Sequence, residues 1–204
     1  YPITNAQYQA FIDAGGYAEA RWWTGLAKRI QSPAASEWPE PNRPRTKVSW
    51  YEAVAFCRWL SEQLGYEVRL PTEQAWEKGA RGTDGREYPW GNGYREGHAN
   101  INELDQGPHY LKETTAVGLY PQGESPYGLQ DMAGNVWEWC RNEYENPEHV
   151  QPGGEAARVL RGGSWVLSPG LARSALRVRD DPGFRGGDLG FRVWCSSPIF
   201  SSDH

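Results

Sequence analysis

Beyond Gly82 the chain carries no helical periodicity, although more than half of its residues still lie ahead. Short apolar pieces at 116–119, 136–137, 158–160 and 191–194 are separated by Gly, Pro, Asn and Asp. Runs this short, bounded by turn formers, fit a few short strands among long ordered loops. Backbone ladders alone cannot satisfy such a fold, so side chains must pack its loops and pair with many of its carbonyls. The composition supplies the means: 11 Trp and 11 Tyr against one Met, with 24 Gly and 15 Pro. Trp and Tyr give rigid contact area with a polar handle.

The first eighty residues read differently. Thr4 and Gln7 form a capping box, and Gly15-Gly16 ends the helix it opens. Ser49 and Glu52 form a second box. Val54, Cys57, Leu60 and Leu64 then fall on one face at helical spacing, and Gly65 supplies the terminal cap. A third, shorter helix follows Thr72 and runs through Trp76 to about Ala80. The segment 31–45 holds four Pro and reads as a surface excursion within one domain spanning 1–204. The class is therefore α+β, with two to three helices, few short strands and many ordered loops.

Composition removes several functions. At 38% hydrophobic and 23% charged residues the chain is not disordered. Its net charge of −5, without a basic cluster, argues against a nucleic-acid partner. No apolar run is long enough for a membrane span. The chain opens at Tyr1 rather than Met, so an upstream segment is expected to be missing. Cys57, Cys140 and Cys195 are odd in number and widely spaced, without a zinc signature. They read as three buried thiols in a reducing, cytoplasmic compartment. His98, His109, His149 and His204 lack metal-ligand spacing, and the glycines between 82 and 93 lack the strand and helix of a dinucleotide site.

Seven local motifs follow one another in order: PITNAQYQAF, VSWYEAVAFCRWL, RLPTEQAWEKGARG, YPWGN, YGLQDMAGNVWEW, RVLRGGSW and LGFRVW. This succession resembles the formylglycine-generating enzyme/sulfatase-modifying family almost from end to end. The resemblance implies a C-type lectin-like α+β fold. It also implies an oxidase that holds copper(I) on two cysteines in the stretch after the GGSW motif. Here that stretch, 165–179, reads WVLSPGLARSALRVR and has no cysteine, so no copper is expected, nor the oxidase chemistry it supports.

The same stretch resembles a second branch of the family, the variable proteins of diversity-generating retroelements. That resemblance implies a framework at 161–165, Pro169, 173–175, Arg177, Arg179, Pro182, Arg185 and 189–193. The intervening positions are Val166, Leu167, Ser168, Gly170, Leu171, Leu176, Val178, Asp180, Gly183, Phe184, Gly186, Gly187 and Asp188. An Asn codon randomised at its first two bases reaches every residue found there, and excludes Lys, Glu, Gln, Met and Trp. Residues 161–204 then form a variable ligand-binding segment on a non-catalytic scaffold, facing a protein or cell-surface ligand. Leu167, Gly170, Phe184, Gly186 and Asp188 are expected on one accessible surface, with Trp165, Arg173 and Arg192 beneath. Leu176 and Val178 alternate with Arg177 and Arg179 as in a strand, which leaves a core role open for both.

Two readings of residues 131–138 stand side by side. By resemblance, Asp131, Gly134, Val136 and Glu138 form a calcium loop, an all-oxygen set suited to Ca²⁺. Alternatively Asp131 caps backbone amides and Glu138 pairs with an arginine. Arg173, Arg177, Arg179, Arg185 and Arg192 are better read as stems packed on aromatic faces, their guanidiniums on loop carbonyls, than as an anion site. The competing functions are a copper-dependent formylglycine-generating oxidase with displaced thiols, and a regulatory or structural domain. A reverse transcriptase gene beside a near-copy of the 3′ end would decide for the variable protein.

Overall fold

The computed structural model describes residues 1–103 and 110–195; His109, His204 and residues 196–204 of the variable segment lie outside the described residues. All three helices begin at the caps read above. Thr4 and Gln7 close their reciprocal box on α1 (Asn5–Asp13). Ser49 and Glu52 do so on α2 (Trp50–Leu64), which left-handed Gly65 ends. Thr72 accepts from the Ala75 amide at the start of α3 (Glu73–Arg81). The stripe on α2 departs from expectation. Its first eight residues are buried on nearly every side apart from half-buried Val54, whereas Leu60 is half-buried and Leu64 is 45% exposed. A single-face pattern holds only for a helix that lies on a surface, and the first two turns of α2 are enclosed.

Among the described residues six short strands form two sheets: β1 (Val68–Arg69), β2 (Trp137–Glu143), β3 (Arg158–Arg161), β4 (Arg177–Asp180), β5 (Leu189–Gly190) and β6 (Trp194–Cys195). β1 pairs antiparallel with β6, and the larger sheet runs β4-β3-β2-β5. β2 is antiparallel to β3 and parallel to the two-residue β5. The expected strand at 116–119 is instead a turn, because Gly118 takes φ 72° and breaks any extended run. Residues 191–193 fall between β5 and β6, although the Phe191 carbonyl accepts from the Ile3 amide at 2.8 Å. β4 includes Val178, which packs half-buried against the main core, but Arg177 is half-buried as well and Leu176 lies outside the strand, so the expected alternation is incomplete.

The main core is aromatic. Tyr8, Phe56 and Phe191 meet ring to ring, with Phe11 against Tyr8 and Phe56. Indole donors tie its helices to the sheet: Trp50 donates to the Cys140 carbonyl and Trp139 to the Val48 carbonyl, each at 2.9 Å. Arg158, fully buried, stacks over Trp50 and donates to the carbonyls of Arg141 and Gly153. Such donors stand in for the ladder hydrogen bonds that the loops lack. Cys57 and Cys140 are buried, but Cys195 is exposed on β6, contrary to the expectation of three buried thiols.

Candidate functional site

Residues 162–188 leave β3, cross to β4 and return to β5. Two left-handed glycines, Gly162 and Gly163 (φ 95° and 75°), turn the chain out of β3. The Trp165 amide then donates to the carbonyl of Asn135, a buried side chain that also joins Asn100 to Thr115. The Trp165 ring lies edge-on to Trp38 at 5.4 Å and stacks on Tyr110. Trp165 is therefore half-buried between aromatic partners, one of them from the proline-rich excursion. Leu167 is fixed through its backbone, donating to Ser164 and accepting from Asn102.

The framework arginines anchor the segment to helix starts. Arg177 pairs with Glu73 at the first position of α3 through Nε (2.8 Å) and Nη2 (3.0 Å). Arg185 makes a bidentate pair with Glu52, Nε at 2.7 Å and Nη2 at 2.5 Å. That carboxylate also closes the α2 capping box and accepts from the Tyr17 hydroxyl at 2.5 Å. Burial, then Glu52, pushes the Tyr17 phenol well above its usual range, so it stays a donor. Carboxylate partners for these arginines were not legible in the sequence. Glu52 carried the one available signal, as the third residue of a capping box. Arg179 pairs with Glu145, and Arg173, half exposed, donates to the Gly170 carbonyl rather than lying beneath the face.

Among the intervening positions Val166, Leu171 and Phe184 are 40, 42 and 48% exposed, and Gly170 is exposed. Leu167, Ser168, Leu176, Val178, Asp180, Gly183, Gly187 and Asp188 are half-buried. Gly186 is buried, which departs from the expected accessible position. Asp188 accepts from Ser164 Oγ at 2.7 Å and so braces the framework. Phe184, Gly186 and Asp188 are neighbours, with Gly187 beside Glu37 and Lys47. Leu176 lines a separate shallow depression with Arg81, Glu87 and Arg173.

Glycines divide along the same line. A Cβ on Gly170 would meet nothing within 4 Å, and one on Gly187 would displace the flexible end of Glu37, 2.9 Å away, and touch Lys47 at 3.9 Å. Gly183 and Gly186 have their nearest neighbours at 3.1 Å, and all four have backbone angles open to any residue. By contrast a Cβ on Gly163 would lie 2.8 Å from the Leu171 carbonyl oxygen, and one on Gly190 2.8 Å from that of Arg45. Gly170 accepts a side chain freely and Gly187 does so once Glu37 moves, buried Gly186 is tight on three sides, and framework Gly163 and Gly190 meet backbone oxygens.

The residues suggested for calcium do not converge on one point. Glu138 is fully buried, and its carboxylate takes two bonds from Arg192 (2.5 and 2.7 Å) and one from the Trp76 indole (2.6 Å). Asp131 accepts from the Gly118 amide at 2.7 Å, and the Gly134 carbonyl accepts from Val136 within the loop. Arg192 also donates to the Gln130 and Asp131 carbonyls, so a guanidinium occupies the place a cation would need. Burial holds the Asp131 carboxyl above its usual range, with the Gly118 hydrogen bond opposing. This is the capped turn with an arginine-paired glutamate, and its residues do not fit Ca²⁺. Nor does the stretch 165–179 offer a sulfur ligand for copper(I). Among the described residues no three His, Cys, Asp or Glu side chains gather as a metal site, and no helix is long and apolar enough to cross a membrane.

Residues 1–196 match the sulfatase-modifying factor enzyme 1-like domain. The chain is 34% identical over 217 residues to the hercynine oxygenase of Mycobacterium tuberculosis, covering 89% of this chain and 48% of that protein. It thus spans about half the length of such relatives. It is 31% identical over 243 residues to the formylglycine-generating enzyme of Streptomyces coelicolor, covering 93% of this chain and 74% of that one. Among solved structures, Treponema denticola variable protein 1 superposes with a TM-score of 0.67 at 27% identity, over 95% of this chain and 82% of that one.

Proposed function

The chain belongs to the family of sulfatase-modifying factor enzyme 1-like domains, and from that footing we propose that it is a non-catalytic binding domain displaying residues 166–188 to a protein or cell-surface ligand. The observation that carries this reading is the division of the segment. Framework residues are held by buried ion pairs and by glycines that admit no side chain, while Val166, Gly170, Leu171, Phe184 and Gly187 stand where replacement is inexpensive. Likeness to a variable protein over nearly the whole chain supports it, and we read the segment as diversified by a retroelement. Exposed apolar side chains beside polar ones suit a protein contact.

The enzyme reading has its own support in the resemblance to an S. coelicolor formylglycine-generating enzyme. The missing thiols weigh against it. Incubation with copper, oxygen and a Cys-x-Pro-x-Arg peptide should give no aldehyde above a protein-free control, and turnover would overturn the proposal. The binding reading is tested by surface display of a library randomised at positions 166, 170, 171, 184 and 187. Display should persist for most members, and selection should recover binders to chosen proteins. A library that fails to display would remove the basis of the reading.

A further inference from the structure

A second cavity, sharing no residue with the displayed positions, lies beside α2 and β1 and encloses about 400 Å³. That volume lies within the range of small-ligand sites, about 300–1,000 Å³. Trp50, Cys57, Val68 and Leu70 are buried in its wall, with half-buried Val54 beside them. Burial keeps the Cys57 thiol protonated, so it lines the cavity as a small apolar group.

Three arginines complete the lining, and they differ in what they have left to offer. Arg58 is committed to the Trp22 and Thr24 carbonyls, each at 2.8 Å. Arg69 donates to the Leu70 carbonyl and Arg141 to the Val150 carbonyl. Between them Glu67 lies 3.7 Å from Arg69 and 3.9 Å from Arg141, longer than a hydrogen bond in both cases. Burial, then the neighbouring Arg141 charge, lowers the Arg69 guanidinium below its ordinary value. The Trp194 ring stacks on Arg69 at 3.9 Å and holds it in place. Three guanidiniums against one carboxylate leave an excess of positive charge beside an apolar chamber.

We infer that this cavity binds a small monocarboxylate with an apolar body, its carboxylate held between Arg69 and Arg141 and its body against Val54 and Leu70. The excess positive charge favours an anion over a neutral ligand, and the buried wall rewards a hydrocarbon portion over a sugar.

Isothermal titration of the full chain with 4-phenylbutyrate and with 4-phenylbutanol tests this. The acid should bind, and the alcohol should bind at least about tenfold more weakly, as expected for loss of a charge-assisted hydrogen bond. Arg69→Gln with Arg141→Gln should remove the difference, and Val54→Trp should block both ligands. In the wild-type protein the Trp50 indole resonance should move on adding the acid, a readout that needs no variant to fold. Equal affinity for acid and alcohol, an unmoved Trp50 signal, or undiminished binding to Val54→Trp would each overturn the assignment.

Discussion

Arg185 stands between exposed Phe184 and buried Gly186, and it is the residue on which the loop depends. Its partner Glu52 is 0% exposed and also receives Ser49 and Tyr17, so removing the guanidinium strands a buried carboxylate. Breaking a buried pair from one side costs about 3–5 kcal/mol; with Arg185 27% exposed, the lower end applies. Arg185→Gln should lower Tm by roughly 6–12 °C, at about 2–4 °C per kcal/mol for a domain of this size. Phe184→Ser, one position away, should stay within about ±0.5 kcal/mol, as surface changes do. Thermal melts of the two variants check this, and a larger loss for Phe184→Ser would reverse the assignment of roles. Asp131 offers a second test, with the opposite sign. Burial raises its carboxyl pKa in the fold, so its contribution to stability falls as pH rises from the ordinary aspartate range through the folded value. An asparagine keeps the acceptor for Gly118, carries no charge and tolerates the left-handed φ of 55°. Asp131→Asn should therefore raise Tm at pH 7 and lose that advantage at pH 3. Lower stability at pH 7 would return the loop to a charge-requiring role.

Elements were legible in the sequence in proportion to how local their causes are. The three helices start at Thr4, Ser49 and Thr72 because a cap is a contact across three residues, visible in any window that holds it. Two-residue strands such as β1 and β5 have no period to detect; they exist because distant chain lies alongside, β5 on β2 and β1 on β6. The same holds at the site. Its exposed positions could be read from pattern and resemblance, but the burial of Gly186 and the packing of Val178 on the core depend on neighbours far away in sequence. Turns supply the prediction at this scale. Gly163→Ala must enter a left-handed conformation with its Cβ 2.8 Å from a carbonyl oxygen, and strain of this kind costs about 1–3 kcal/mol. Gly170→Ala meets open space and should be neutral or slightly stabilising, since it narrows the unfolded ensemble. Urea midpoints of the pair should separate accordingly, and coincident midpoints would contradict the division between framework and display.

Over the whole molecule, the thiols report how closed the fold is. Cys195 is exposed whereas Cys57 and Cys140 are buried with their thiols pushed up, so an aromatic disulfide reagent should titrate one cysteine in the native protein and three in denaturant. Rapid reaction of all three in native buffer would mean that the core opens readily. The hydrogen bond from Ile3 to Phe191 carries a different consequence, one that belongs to biosynthesis. Phe191, 0% exposed, closes over Tyr8 and Phe56, and Arg45 donates in turn to Ile3. These partners are far apart along the chain, so the residues around Ile3 wait for those around Phe191 before their shared core is covered. On the proposed reading, a copy whose altered segment could not dock through residues 189–193 would leave those rings bare and open to proteases, instead of persisting as a faulty binder. Each new surface would thereby be inspected as it forms, by the requirement that it finish the fold that carries it.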